Sequence, residues 1–208
     1  MSDTVTREQF EQSGLADWRF VRGALHARFA TGDFATGLHL VNLIGGAAEE
    51  ADHHPDLDLR YPYVNVHLLS HDANGVTDRD AALARVISSL AADLGVAASP
   101  QDVAVMELAL DTPDPHRIKP FWRAVFGPFG RDEQDDEVRN DHDLPTIWFQ
   151  PSGAEEPRQR FHIDLQLPAD IAQERIAAIV AAGGTVVDET ATFTVLADVD
   201  GNRMCVCI

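Results

Sequence analysis

The chain has 208 residues, 45% of them hydrophobic, which is enough for one large domain or two small ones with cores of their own. No apolar run is long enough to span a bilayer. The polar, acid-bearing residues 1–12 read as neither a signal nor a transit peptide, so a cytoplasmic protein is expected. The net charge of -18 repels phosphate backbones and anionic lipid, so no nucleic acid and no membrane is expected as a partner.

Residues 6–14 read as a short helix with Thr6 as N-cap. Residues 18–30 alternate loosely, as strands do. Gly32-Asp33 breaks the chain. Over 34–51, Phe34, Leu38, Leu40, Val41, Ile44 and Ala48 recur near helical spacing and predict an amphipathic helix. Residues 63–69 alternate as a strand, and Ala73-Asn74-Gly75 is a turn signal. Thr77 and Asp80 have the spacing of a capping box, opening a helix that runs to about Leu94.

The small, polar stretch 95–102 marks a boundary, giving expected domains 1–96 and 97–208. Beyond it the pattern is strand (103–110), helix (115–126), strand (146–150), strand (161–167), helix (170–182) and short strands at 186–189, 193–198 and 204–208. Strand, helix, strands thus occurs twice, so the fold class is α+β with two half-units in the second domain. The acidic run at 131–143 reads as a solvated loop. Cys205 and Cys207 are too few for a disulfide framework and too close for a zinc knuckle, so reduced thiols are expected.

Chemistry-bearing residues gather in the first half. His53 and His54 follow the long helix, where Pro55 is expected to stop it. Glu49 precedes His53 by one helical turn, and His71 ends the strand begun near Tyr63. A helix end and a strand end can converge at one rim of a sheet. His39 and His67 read as structural and His26 as a surface residue.

Glu49, three residues, His53-His54-Pro55, Tyr61, His71 and Asp80 together resemble the signature of the pterin-4a-carbinolamine dehydratases. Gly14-Leu15, Trp18, Phe29 and Asp33-Phe34 add to the likeness, which covers roughly the first 95 residues. Leu57 stands where the family often has an aromatic, and a common Asn is replaced within Asp58-Leu59-Arg60. The resemblance implies a small antiparallel sheet with helices on one face. It implies dehydration of 4a-hydroxytetrahydrobiopterin to quinonoid dihydropterin, which recycles the pterin for an aromatic amino acid hydroxylase. Histidine suits both proton transfers near neutral pH, and no cofactor is required. His53 and His71 would form the acid/base pair and His54 would position the pterin. Glu49 would orient a histidine, and Asp80 would support His71 or touch the substrate. A homo-oligomer is expected. The alternative is a protein that binds a pterin or another small molecule without catalysis.

In the second half, the pieces at 111–115, 121–122, 146–151, 160–165 and 197–205 resemble, in their order, the glyoxalase-like (vicinal oxygen chelate) proteins. That implies paired βαβββ modules. Glu107, Gln150 and His162 are the candidate metal ligands by this likeness, an incomplete set with Cys205 in place of the usual last acid. A metal-free pocket is the preferred reading, with the domain binding a small molecule or mediating assembly.

Overall fold

A computed structural model describes residues 4–116, 119, 130–131, 136–140, 145–151, 161–197 and 203–208. The chain divides into two compact units, Met1–Val103 and Ala104–Ile208.

In the first unit, α1 (Arg7–Glu11) begins at Thr6, whose hydroxyl accepts from the Gln9 N–H while the Gln9 side chain accepts from the Thr6 N–H. β1 (Arg19–Val21) and β2 (Ala24–Ala30) pair as a hairpin. Its turn holds Arg22 and Gly23 at positive φ, which favours glycine at the second position. α2 (Phe34–Ala51) follows, then β3 (Asp56–Arg60), β4 (Tyr63–Leu68), α3 (Asp78–Asp93) and β5 (Ala97–Ala98). The sheet is antiparallel in the order β1-β2-β4-β3, with β5 also paired to β2. Strand pairing therefore continues past residue 96, and Ala97–Ala98 belongs with the first unit's sheet.

One sheet face carries Leu25, Ala27, Phe29, Val64, Val66 and Leu68, all buried against Leu40 and Ile44 of α2 and Ala84 and Ile87 of α3. Trp18 is fully buried in this core, with its indole N–H donating to Ser88 Oγ at 3.0 Å. Gly37 lies where α2 meets the sheet, and a Cβ there would lie 2.6 Å from Leu59 Cδ1, so the leucine side chain would have to shift. Phe34 and Leu38, expected on the buried stripe of α2, are instead about half exposed. The stripe that packs runs through Gly37, Leu40, Ile44 and Ala48, one clean helical face.

The opposite face of the sheet is polar but not simply solvated. His26, His67 and Asp56 are register partners across β2, β4 and β3. The two imidazoles lie 4.8 Å apart, and His67 Nδ1 is 2.9 Å from Asp56 Oδ2. His26 is thus partly buried rather than a surface residue, because the neighbouring strand's ring covers it. Burial and the adjacent His67 lower its pKa from 6.5 to about 3, against an opposing backbone hydrogen bond with Val21. The folded state keeps His26 neutral in a range where the unfolded chain protonates it. Stability is therefore expected to fall as pH drops from about 6.5 towards 3, by up to ~1.4 kcal/mol per pH unit for this proton. Urea titrations at several pH values should show this slope, and His26→Phe should flatten it.

The second unit is built on one eight-stranded sheet, in the order β11-β12-β13-β10-β6-β9-β8-β7. Its strands are β6 (Val105–Thr112), β7 (Gly130–Arg131), β8 (Glu137–Asn140), β9 (Thr146–Pro151), β10 (Phe161–Gln166), β11 (Thr185–Glu189), β12 (Phe193–Ala197) and β13 (Arg203–Cys207). α4 (Ala169–Ala181) lies between β10 and β11. β6 pairs parallel with β9, β10 pairs parallel with β13, and β6 and β10 join antiparallel at the centre. Two modules of the expected kind are thus fused by their first strands. Most of the helix expected at 115–126 lies outside the described residues. Part of the acidic run is not a solvated loop. Glu137–Asn140 forms β8, with Val138 fully buried and Glu137 paired to Arg139 on the other face. A single valine among charges hid that alternation. Among the described residues, no helix is long and apolar enough to cross a membrane.

Candidate functional site

The site in the first unit is assembled where α2 ends, where β4 turns and where α3 begins. α2 stops at Asp52, which takes the left-handed conformation at φ 47°. The Asp52 N–H returns to Glu49 O at 3.3 Å and the His53 N–H to Ala48 O at 3.1 Å, the two bonds of a Schellman ending. The helix therefore ends before Pro55 takes effect. This ending turns His53 inward, 7% exposed, while His54 stays out.

His53 Nε2 lies 2.7 Å from Asp80 Oδ1. Asp80 is fully buried in the first turn of α3. Its Oδ2 accepts from Ser70 Oγ at 2.6 Å, the Thr77 N–H at 2.7 Å and Thr77 Oγ1 at 3.1 Å. Burial alone would raise the Asp80 pKa. The hydrogen bonds from Ser70, Thr77 and His53 outweigh it and hold the carboxyl below its ordinary range. An ionised Asp80 can only accept, so His53 Nε2 carries a proton and Nδ1 is the nitrogen left to exchange one.

Asp80 thus supports His53, not His71. Glu49 reaches His54, at 3.0 Å between Oε1 and Nε2, with both side chains largely exposed. His71 lies in the turn that follows β4, closed by the Ser70–Gly75 bridge with Asn74 at positive φ. It is exposed, and its neighbour Ser70 is the residue that bonds Asp80. Its charge contributes to keeping the Asp56 carboxyl below its usual range, after the larger effect of the His67 hydrogen bond. Arg79 pairs with Asp72 of the same turn. A groove of ≈ 350 Å³ runs between α2 and α3 beside His53, lined by Ala47, Ala51, Leu83 and Val86 together with the charged Glu50 and Arg79. Of the candidate residues, His53 alone lines it. Ser70 and Thr77 are not among the candidate site residues. Thr77 reads from sequence as the cap of α3, and its capping-box spacing with Asp80 conceals a second use.

The pterin 4 alpha carbinolamine dehydratase family matches residues 1–90. A protein of Metallosphaera sedula is 43% identical over 77 residues, which are 37% of this chain and 80% of the relative. One from Picosynechococcus is 37% identical over 87 residues, 42% of this chain and 95% of the relative. Both bear the name of pterin-4-alpha-carbinolamine dehydratase provisionally. The chain belongs to the pterin-4a-carbinolamine dehydratase family. That family, a hydro-lyase family, accounts for the first unit only. A crystal structure described as a transcriptional coactivator/pterin dehydratase from Brucella melitensis is 30% identical, covers 43% of this chain and 99% of that one, and superposes with a TM-score of 0.41. A glyoxalase-like domain matches residues 107–207.

In that second domain the three ligands suggested by sequence do not converge. Glu107 sits opposite Thr146, whereas Gln150 sits opposite Asp111, four residues further along, about 13 Å at strand spacing. Glu107 Oε2 accepts from Gln166 Nε2 at 2.9 Å. His162 faces Asp164 instead, with Nε2 and Oδ1 3.3 Å apart. Burial and then the Asp164 carboxylate raise the Cys205 pKa to about 12, so without a metal the thiol keeps its proton. Neither Cys205 nor Cys207 is in a disulfide.

Proposed function

We propose that the first unit dehydrates 4a-hydroxytetrahydrobiopterin to quinonoid dihydropterin, with His53 and His71 sharing the two proton transfers. The observation that carries this reading is the buried His53–Asp80 pair, set within the segment that matches the family. Loss of water requires one group to take the N5 proton and another to protonate the departing 4a hydroxyl. A carboxylate that cannot donate fixes the tautomer and orientation of His53 for one of these steps. His71 is exposed on an adjoining turn, which supports a role in meeting substrate from solvent. His54, steadied by Glu49, would position the pterin ring. The substrate is then a pterin, its source an aromatic amino acid hydroxylase, and the assembly a homo-oligomer in the cytoplasm.

The test is stopped-flow absorbance of 4a-hydroxytetrahydropterin dehydration by the full chain, with wild type beside His53→Ala. Acceleration by the wild type that falls about 10²-fold in the variant, with a bell-shaped pH profile, is the expected result. A folded wild type that binds the pterin without accelerating its dehydration would make this a pterin-binding protein.

A further inference from the structure

We infer that Ser70 is a positioning residue, which ties the turn carrying His71 to the carboxylate that holds His53. This rests on the dehydratase reading of the site and adds to it the group that sets the two histidines relative to one another. Ser70 directly precedes His71, so what fixes Ser70 fixes the start of the turn that bears the exposed ring. Its backbone is spent on closing that turn. The Ser70 N–H donates to Gly75 O at 3.1 Å, and Ser70 O accepts from the Ala73 N–H at 3.1 Å and the Gly75 N–H at 3.4 Å.

The Ser70 side chain is left to attach the turn to α3. Its Oγ lies 2.6 Å from Asp80 Oδ2, with Ser70 1% exposed and Asp80 fully buried. An ionised carboxylate can only accept, so the hydroxyl donates to it and turns a lone pair towards Thr77 Oγ1 at 2.8 Å. The other carboxylate oxygen, Oδ1, faces His53 Nε2 at 2.7 Å. Hydroxyl, carboxylate and imidazole therefore form one chain, from the residue beside His71 to His53. Burial raises the Asp80 pKa, and among the groups that oppose it the Ser70 hydroxyl has the largest effect. Ser70 thus helps keep Asp80 an acceptor, which holds the proton on His53 Nε2.

Helix capping does not account for this bond. Thr77 is the cap of α3 and Asp80 its third residue, so their mutual bonds are those of a capping box. Ser70 lies outside the helix and caps nothing. The Arg79–Asp72 pair also joins the turn to α3, but it is exposed and weak by comparison. A short bond to a charge in a site closed to water is the stronger restraint. Two proton transfers to one substrate need both rings in place, and a displacement of about 1 Å can cost about 10²-fold in rate.

The test measures dehydration by the full chain for Ser70→Ala beside Ser88→Ala. Ser88 Oγ accepts the Trp18 indole N–H at 3.0 Å, about 12 Å along α3 from Asp80 at 1.5 Å per residue. It is a control for the loss of an inward hydroxyl without contact to the site. With urea denaturation placing both variants on one stability scale, kcat is expected to fall about 10- to 100-fold in Ser70→Ala with KM changed less than about threefold. Ser88→Ala should keep the wild-type kcat. Ser70→Thr retains the hydroxyl and should recover most of the rate, whereas Ser70→Cys, a weaker donor, should fall between threonine and alanine. A folded Ser70→Ala with wild-type kcat overturns the inference. Should that variant fail to fold, Ser70→Cys with wild-type kcat overturns it instead. Proton NMR reads the link without turnover. The His53 Nε2–H resonance should move downfield in Ser70→Ala, because Asp80 loses a competing donor, and an unmoved resonance also counts against the link. A wild type that shows this response but leaves the pterin undehydrated sinks the dehydratase reading and leaves the link standing.

Discussion

Asp80→Ala is expected to lose about 3–5 kcal/mol of stability together with most of the dehydratase activity. The carboxylate has no exposed surface and accepts from His53, Ser70 and Thr77. Alanine leaves the Thr77 N–H, a helix-capping donor, and the Ser70 hydroxyl without their acceptor in a site closed to water. It also removes the carboxylate that lies 2.7 Å from the buried His53 ring nitrogen. Each buried donor left unmade costs about 1–3 kcal/mol, and breaking a buried charged pair about 3–5 kcal/mol, so the losses overlap rather than add. Urea denaturation gives the stability, and stopped-flow below the transition gives the rate. Asp80→Asn separates the two effects, since it keeps the volume and one acceptor oxygen but not the charge. If Asp80→Ala unfolds at the same urea concentration as wild type, the network does not hold these elements together.

His71→Ala should behave in the opposite way. Its side chain is exposed on a turn, so truncation should change stability by no more than ~0.5 kcal/mol. The dehydration rate should fall about 10²-fold if it transfers a proton. A lost rate with unchanged thermal unfolding would mark a residue used on substrate rather than in the fold. An unchanged rate would remove His71 from the mechanism and leave His53 to act with solvent. Asn is the useful second variant, because it preserves the turn while removing the titratable ring.

The two histidine predictions diverge because sequence reports residue type and spacing but not enclosure. The body of α2 was legible to the residue because its apolar positions keep a 3.6-residue period. Its stop was attributed to Pro55, since an aspartate in the left-handed conformation leaves no sequence mark as strong as glycine's. β3 escaped notice although Leu57 and Leu59 alternate with Asp56, Asp58 and Arg60, because five residues with three charges resemble a loop. The partner of Asp80 was out of reach for a different reason. His53 and His71 both precede α3, and only the way α2 folds back decides which ring the carboxylate meets. In the second unit, Glu107, Gln150 and His162 were singled out, while Asp164, two residues after His162, is brought beside Cys205 of a parallel strand only by register. The helix expected at 115–126 falls mostly outside the described residues.

The central seam of the eight-stranded sheet has a consequence for biosynthesis. β6 and β10 meet residue for residue, yet Leu110 and its partner Phe161 are roughly fifty residues apart in the chain. As the polypeptide emerges, β6 can gain β9 on one side, but its other edge keeps open backbone donors and acceptors until β10 arrives. An edge of that kind is a template for any extended strand nearby. The early module is therefore exposed to mispairing with neighbouring nascent chains until β10, the first strand of its sister, has been made, a hazard that the first unit, with all its strands complete by Ala98, has already passed.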